Sequence, residues 1–177
     1  MNQDIENVVK SCPTCLSHRS DNPPEPLLPH KVPKLPWEKV GVDLLEFDGK
    51  KYLIIEDYYS NFFEVEPLVS SIAPKVIVTL KTNFARHGIP VEMISDNGPP
   101  FNSQEIFDFT LNWGITHTFS SPYLSRSNGL VESGVKIFKT ILPKCKMSNE
   151  DPFLALLNYR TTSRNNIESP AKLSMSR

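Results

Sequence analysis

The pattern of apolar and polar positions changes its period along the chain, from strand-like segments to recurrence at helical spacing. Three strand-like segments come first, at Val40–Phe47, Tyr52–Tyr58 and Phe62–Leu68. The turn residues Asp48-Gly49 and Ser60-Asn61 separate them. This arrangement predicts an antiparallel meander of three strands.

Helical spacing begins after the meander. Apolar residues recur at helical intervals over Ile72–Phe84, and Ser70 or Ser71 is the predicted cap of this helix. Pro74 in the first turn and Gly88 beyond the end fit the same helix. The remaining predicted elements are the strand Val91–Ser95, the helix Ser103–Trp113, the strand Ile115–Phe119, a helix over Asn128–Leu142 that Pro143 disturbs, and the helix Pro152–Thr162. The order βββαβαβα with a trailing helix predicts an α/β fold with a mixed five-stranded sheet flanked by helices.

Prolines set the N-terminal part of the chain apart. Residues 21–36 contain six of them, at Pro23, Pro24, Pro26, Pro29, Pro33 and Pro36. Because proline fixes φ and removes a backbone donor, this stretch is predicted to be an extended linker. The folded domain is expected to start near Trp37. Residues 1–20 are predicted to form a short helix that ends in Cys12-Pro-Thr-Cys15.

Composition and charge narrow the classes of function. The 177 residues are 39% hydrophobic and 10% aromatic, which is enough to build a core. No apolar run approaches the ~18 residues of a membrane span, so no membrane association is expected. The net charge of -1 is unevenly spread: residues 1–100 hold 10 Lys and Arg against 14 Asp and Glu, and residues 101–177 hold 9 against 6. An anionic partner is therefore expected to contact the second half of the chain.

Three carboxylates stand where local structure does not require them. Asp43 lies inside an apolar strand, Asp96 just past a strand, and Glu132 near the start of a helix. Each also has an ordinary explanation, as a solvent-facing strand residue, a turn residue or a partner of the helix dipole. Strand ends and helix starts meet at one edge of an α/β sheet, where the three carboxylates would repel one another unless cations neutralised them. Such hard oxygen ligands suit Mg²⁺ or Mn²⁺, and two ions ~4 Å apart can activate a nucleophile and stabilise the leaving oxygen of a phosphodiester.

Two lysines follow the third carboxylate along its predicted helix. Lys136 and Lys139 come four and seven residues after Glu132, so all three fall on one helical stripe. A solvated Glu–Lys pair would explain Lys136 alone. A stripe that starts at a metal ligand instead favours contact with phosphates next to a scissile bond.

The spacing of the carboxylates and the sequence motifs around them resemble those of a known family. The arrangement of Asp43, Asp96 and Glu132, with 35 residues between the last two, is similar to the D,D-35-E pattern of retroviral and long-terminal-repeat retrotransposon integrases. The words that resemble the Ty3/gypsy branch are Pro36-Trp37-Glu38-Lys39-Val40-Gly41-Val42-Asp43, Ser95-Asp96-Asn97-Gly98-Pro99, Trp113-Gly114-Ile115, Ser127-Asn128-Gly129-Leu130-Val131-Glu132, Asn158-Tyr159-Arg160-Thr161-Thr162 and Ser169-Pro170-Ala171. The resemblance covers about residues 37–177 and the Cys12/Cys15 pair.

The resemblance implies an RNase H-like fold and two-metal polynucleotidyl transfer. An integrase trims the 3′ ends of element DNA and joins each 3′-hydroxyl to target DNA. By this resemblance Asp43, Asp96 and Glu132 would be the catalytic ligands of two Mg²⁺ or Mn²⁺ ions. The residues expected to contact DNA are Asn97, Ser125, Arg126, Asn128, Lys136 and Lys139. A homo-oligomer and a nuclear location are expected for the same reason, although the sequence holds no clear targeting signal.

The N-terminal cysteines depart from the family pattern. Cys12 and Cys15 resemble the second half of an integrase zinc module, but no histidine precedes them. His18 and His30 lie downstream at non-standard spacing, so the pair is at most an incomplete zinc half-site and no zinc is expected. Residues 1–20 are accordingly expected to be a truncated remnant of that module, 21–36 a linker and 37–177 the catalytic core. Met1 is expected to be an internal methionine, and the chain is expected to stop before the C-terminal DNA-binding module of the family.

Other departures leave two further hypotheses open. Leu124-Ser125-Arg126 replaces the usual Tyr-Pro-Gln before Ser-Asn-Gly, which should loosen the loop, and Ser163 stands where proline commonly follows Tyr-Arg-Thr-Thr. One alternative is therefore a catalytically impaired or co-opted transposon remnant that binds nucleic acid. The other is a generic RNase H-like nuclease that acts on RNA–DNA hybrids with the same two-metal chemistry. Cys145 is expected to pack or to remain unpaired.

Overall fold

Five strands form one mixed sheet in the computed structural model, which describes residues 3, 33–120, 129–163 and 167–176, and of residues 129–133 only the backbone. The strands are β1 (Lys39–Phe47), β2 (Lys50–Asp57), β3 (Phe63–Leu68), β4 (Glu92–Ser95) and β5 (Thr116–Phe119). Their order across the sheet is β3-β2-β1-β4-β5. The first three strands pair antiparallel, and β4 and β5 join in parallel. The predicted mixed sheet and its antiparallel meander are confirmed.

Five helices accompany the sheet in the part of the chain described from residue 33 onward. They are α1 (Ala73–His87), α2 (Gln104–Asn112), α3 (Gly129–Ser148), α4 (Pro152–Thr161) and α5 (Pro170–Met175). All the strands and these helices belong to one compact unit, Lys31–Arg177. The predicted division into remnant, linker and core stays a prediction. None of the described helices is both long enough and apolar enough to cross a membrane.

The helices cover the sheet on two sides and create two hydrophobic clusters. On one face Val40 and Val42 of β1 pack with Leu80 of α1 and Ile106 of α2. On the other face Leu45 and Ile54 pack with α3 and α4 through side chains that include Val135, Phe138, Leu156 and Tyr159. This three-layer arrangement follows from the alternation of β1, whose successive residues face opposite sides of the sheet.

The first hairpin turn matches its prediction from the local sequence, whereas the N-cap of the first helix does not. Asp48 and Gly49 have φ of 53° and 71°, as a two-residue hairpin turn requires, so that turn is confirmed. The predicted cap of α1 is wrong, because the N-cap is Ile72, without a side-chain hydrogen bond. Ser70 instead accepts a hydrogen bond from the Ile72 N–H at 3.4 Å. The serine turn therefore precedes the helix and does not begin it.

The helix α3 differs most from its prediction. Pro143 lies inside it, and the helix continues to Ser148. Proline removes one backbone donor, but Leu142 and Cys145 on either side are buried at 8% and 2% exposure, so packing on the sheet offsets the loss. Cys145 is unpaired and buried, as expected. The short helix α5, which Ser169 caps, was not predicted.

Candidate active site

Asp43 lies in the middle of β1, on the sheet face that α3 and α4 cover. It pairs with Ile54 of β2, and both Ile54 and Leu45 belong to the hydrophobic cluster of that face. The Asp43 side chain is half-buried. Its Oδ1 accepts a hydrogen bond from the Leu44 N–H at 2.8 Å. A carboxylate is thus held at a defined position within an otherwise apolar face.

Asp96 follows the last residue of β4 and lies at the same level of the sheet as Asp43. The parallel pairing of β1 with β4 sets Gly41 opposite Ile94, and Asp43 and Asp96 each come two residues later. Neighbouring strands are ~5 Å apart, and residues two apart share a face. Asp96 is exposed, and its Oδ1 accepts a hydrogen bond from the Gly98 N–H at 3.3 Å. Continued by two residues, this register would bring together two of the three carboxylates singled out from the sequence.

Glu132 lies near the start of α3, and only its backbone is described. Two residues later Gly134 packs against Glu56 of β2, which pairs with Gly41 of β1. The start of α3 therefore lies over the face that carries Asp43. Among the side chains that the structure describes, no three His, Cys, Asp or Glu residues cluster in a way that would hold a metal ion. A centre of three carboxylates depends on Glu132 and stays a prediction.

The two aspartates suit a hard divalent cation. Two carboxylates at one level of neighbouring strands repel each other unless a cation lies between them. Carboxylate oxygens are the ligands that Mg²⁺ and Mn²⁺ prefer. No Lys or Arg among the described residues forms an ion pair with Asp96. The residues present therefore fit a divalent ion at this edge of the sheet.

Lys136 and Lys139 are exposed on the outer side of α3. The inner side of the helix buries Val135, Phe138 and Leu142. Helical geometry places both lysines on the stripe that starts at Glu132. A phosphate backbone along this side of the helix would meet both ammonium groups.

Asn97 borders a groove of about 440 Å³ between α2 and β5. Its backbone carbonyl accepts a hydrogen bond from Asn102 Nδ2 at 3.1 Å, which fixes the turn after Asp96. The described lining of the groove is aromatic, aliphatic and uncharged polar, and includes Phe107 and Phe119. The other residues predicted to contact DNA or zinc, namely Ser125, Arg126, Asn128, Cys12 and Cys15, lie outside the described residues.

Glu56 is a buried acid that the sequence analysis missed. It is 1% exposed on β2, and burial raises the pKa of its carboxyl to about 9, although a hydrogen bond from the Gly134 N–H opposes the shift. Its Oε2 has no hydrogen-bond partner within the described structure. A Cβ at position 134 would overlap this oxygen, so a larger residue there requires the Glu56 carboxyl or the helix to shift. Glu56 directly follows the apolar run Leu53-Ile54-Ile55, so it could have been noticed in the sequence for the same reason as Asp43.

Glu64 shows the contrasting case of a paired carboxylate. Arg160 of α4 donates to Glu64 at 2.6 Å and to the Phe63 carbonyl at 2.6 Å, and His87 contacts the other Glu64 oxygen at 3.1 Å. Burial alone would raise the pKa of Glu64, but the bonds and charges of His87 and Arg160 hold it below its usual value. The His87 ring also stacks on Trp37, with 3.9 Å between ring centroids. The Asn-Tyr-Arg motif thus links α4 to β3 through hydrogen bonds.

Solved structures with the same fold include integrase catalytic cores. The chain superposes with a TM-score of 0.82 and 23% identity on a chain of the simian T-cell lymphotropic virus intasome in complex with PP2A regulatory subunit B56 gamma, over 100% of this chain and 68% of that one. For the catalytic core domain of BIV integrase the TM-score is 0.68 at 21% identity, over 79% and 95%. For the HTLV-2 integrase catalytic core domain in complex with magnesium it is 0.64 at 22%, over 80% and 98%. The fold is that of retroviral integrase catalytic cores, and the RNase H-like prediction is confirmed.

Relatives by sequence are parts of much longer proteins. The chain is 31% identical over 167 residues to the uncharacterized protein K02A2.6 of Caenorhabditis elegans, covering 92% of this chain and 13% of that protein. It is 29% identical over 152 residues to the Gag-Pro-Pol polyprotein of Simian retrovirus SRV-2, covering 81% and 8%. It is 30% identical over 139 residues to the Transposon Tf2-3 polyprotein of Schizosaccharomyces pombe, covering 73% and 10%. No protein-family model matches.

The chain spans about a tenth of the length of these relatives. It is homologous to a segment of retroviral and transposon polyproteins, and it folds as the catalytic core of a retroviral integrase does. The resemblance drawn from the residues is therefore confirmed at the level of the family and the fold.

Proposed function

We propose that the chain is the catalytic core of a DNA integrase, which trims the 3′ ends of element DNA and joins them to target DNA. The observation that carries the proposal is the parallel register of β1 and β4, which, continued two residues beyond Gly41 and Ile94, would set Asp43 beside Asp96. Asp43, Asp96 and Glu132 would hold two Mg²⁺ or Mn²⁺ ions. The magnesium in the HTLV-2 core, which has the same fold, supports this choice of cation.

The chemistry needs a nucleophile and a leaving oxygen in line with one phosphorus atom. Two divalent ions, when bound, would activate the attacking hydroxyl and neutralise charge on the leaving oxygen. Water is the nucleophile in 3′-end processing, and the trimmed 3′-hydroxyl is the nucleophile in strand transfer. Asp43 supplies a carboxylate from a rigid strand, which favours fixed geometry, and Asp96 supplies one from the turn after β4.

The DNA would approach across the outer side of α3. Lys136 and Lys139 are exposed there and would neutralise phosphates near the scissile bond, so binding should weaken as salt rises. Asn97 would contact DNA from the turn after Asp96, and we expect Ser125, Arg126 and Asn128, which come before α3 in the sequence, to contact it as well. The intasome chain and the dimeric HTLV-2 core have this fold, which supports a homo-oligomer.

A cleavage assay on a short DNA duplex tests the proposal. With Mn²⁺ the purified chain should nick the duplex or join it to a second one, and Asp96→Asn should abolish both reactions. Asp108→Asn, an exposed acid of α2, is the matched control and should leave the activity intact. Activity that survives Asp96→Asn would contradict the assignment of the metal ligands.

The substrate distinguishes the alternative functions. An RNA–DNA hybrid supplied beside the DNA duplex should be cut poorly. Preferred cutting of the hybrid would instead favour an RNase H-like nuclease. A folded wild-type chain that binds DNA but neither nicks nor joins it would favour a non-catalytic remnant.

A further inference from the structure

The backbone that carries Asp96 is anchored by the side chain of the residue before it. Ser95 is the last residue of β4 and is fully buried at 0% exposure. Its hydroxyl donates to the Asp96 carbonyl at 2.7 Å, and its own carbonyl accepts from the Ser120 N–H at 2.8 Å. Because strand residues two apart share a face, Ser95 lies on the side of β4 where Met93 packs in the cluster under α1 and α2. These bonds involve the backbone of Asp96 and leave its exposed carboxylate available to a ligand.

His117 of β5 completes this anchor. Its Nε2 lies 2.9 Å from Ser95 Oγ. A serine hydroxyl has one proton, and here that proton is donated to the Asp96 carbonyl. Both hydrogen bonds form together only if His117 Nε2 carries a proton and donates it to Ser95 Oγ. Burial lowers the pKa of His117, which agrees with a neutral ring in this tautomer.

The resulting chain runs from His117 through Ser95 to the peptide that follows Asp96. We propose that Ser95 and His117 are positioning residues that orient the Asp96 carboxylate for metal binding. The inference rests on the proposed function, because it presupposes that Asp96 is a ligand. Groups that orient metal ligands from behind typically contribute 10–100-fold to metal affinity. A displacement of ~1 Å at such a centre can also cost about 100-fold in rate.

The two residues can be tested by separating the hydrogen bond from the packing. His117→Gln retains an amide N–H donor that reaches the position of Nε2, whereas His117→Leu removes the donor. Ser95→Ala removes the hydroxyl that links His117 to Asp96. Thr118→Val is the matched control, since Thr118 Oγ1 donates to Glu92 Oε1 at 3.2 Å and joins the same two strands without reaching Asp96.

The readout is the Mn²⁺ dissociation constant from calorimetry, with thermal unfolding measured on the same samples. Ser95→Ala and His117→Leu should each weaken Mn²⁺ binding about 10-fold or more. His117→Gln and Thr118→Val should stay within about twofold of wild type. Thermal unfolding should show that all four variants are folded, and His117→Leu keeps the test open if Ser95→Ala is not.

Three results would overturn the inference, and one of them would overturn the proposed function as well. Unchanged Mn²⁺ affinity in a folded Ser95→Ala or His117→Leu variant would show that the anchor does not act on Asp96. Equal losses in His117→Gln and His117→Leu would show that ring packing matters and the donor does not. A wild-type chain that binds no Mn²⁺ would overturn the proposed function itself, and the inference with it, so the two failures are distinguishable.

Discussion

The two faces of the sheet are filled by different chemistry. The face under α1 and α2 is lined mainly with apolar side chains such as Val40, Val42 and Leu53, and its buried acid, Asp57, accepts hydrogen bonds from the Trp37 and Ser60 N–H groups. The face under α3 mixes apolar side chains with the acids Asp43 and Glu56, and Asp96 follows at its edge. Burying an acid costs free energy unless it is paired or neutral. Glu56 meets this condition as a neutral acid, whereas the carboxylates of Asp43 and Asp96 are candidates for binding a cation.

The pairing of each acid separates a structural role from a chemical one. Glu64 is contacted by Arg160 and His87, so its charge is compensated within the fold. Asp96 is exposed and accepts a hydrogen bond from a backbone N–H. Among the described residues no Lys or Arg forms an ion pair with it. An uncompensated carboxylate level with Asp43 is what a cation site needs. The position of a carboxylate and its partners together, and not its acidity alone, therefore identify a candidate ligand.

Moving an acid to the apolar face should have the largest effect. Val42 is 0% exposed between α1 and the sheet, so Val42→Asp would bury a carboxylate without a partner. We expect a loss of more than about 4 kcal/mol in the free energy of unfolding, measured by urea denaturation. Asp43→Asn on the other face should change it by no more than about 1 kcal/mol. Equal losses in the two variants would contradict the distinction between the faces.

Neutralising Glu56 should have the next largest effect, and the effect should depend on pH. The unfolded chain ionises Glu56 near pH 4.5, whereas the folded chain keeps its proton until about pH 9. Between these two pH values the folded state binds more protons than the unfolded state. The free energy of unfolding of the wild-type chain therefore falls as pH rises. Glu56→Gln cannot ionise and should gain stability over wild type across this window, reaching several kcal/mol at its upper end. A stability difference that does not vary with pH would show that Glu56 titrates normally.

A methyl group at Gly134 should have an effect of intermediate size. An alanine Cβ there would overlap Glu56 Oε2, so either the buried Glu56 carboxyl or α3 must shift. We expect Gly134→Ala to destabilise the chain by about 1–3 kcal/mol in urea denaturation. At an unconstrained helix position the same change would stabilise by up to about 1 kcal/mol, so the sign is diagnostic. The double variant with Glu56→Ala should recover part of the loss, and simple additivity would argue against the contact.

The exposed lysines should have the smallest effect on stability. Lys136→Ala and Lys139→Ala should each change the free energy of unfolding by less than about 0.5 kcal/mol. Each should nevertheless weaken DNA binding and lower the salt slope of the binding constant by about one. Lys144→Ala, an exposed lysine of α3 off the Glu132 stripe, is the matched control. Equal losses of DNA affinity in all three variants would indicate diffuse charge and not a stripe.

Most of the architecture could be predicted from the sequence, because the local propensities of its segments agree with the packing that they adopt in the fold. Asp48-Gly49 fixed the first hairpin, and Ser103 accepts from the Ile106 N–H at the start of α2, where the helix was predicted to begin. The extent of α3 could not be read in the same way. Its passage through Pro143 depends on burial against the sheet, a tertiary effect that overrides the local penalty of proline.

The candidate site was predictable only in part. Asp43 and Asp96 stood out because each lies within or directly after an apolar strand pattern, but the parallel register of β1 and β4 is known only from the structure. Ser95 and His117 gave no such signal, since a serine at a strand end and a histidine in a short strand are ordinary residues. Their hydrogen bond joins positions 22 residues apart and exists only once β4 and β5 pair.

The central claim is that Asp43, Asp96 and Glu132 together bind divalent metal ions. Calorimetric titration of Mn²⁺ into the wild-type chain, Asp43→Asn, Asp96→Asn and Glu132→Gln tests it directly, with Asp108→Asn as the control. The account predicts binding by wild type and the control, and a loss of at least about 10-fold in affinity for each of the three ligand variants. Wild-type affinity in any one of those three variants would contradict it.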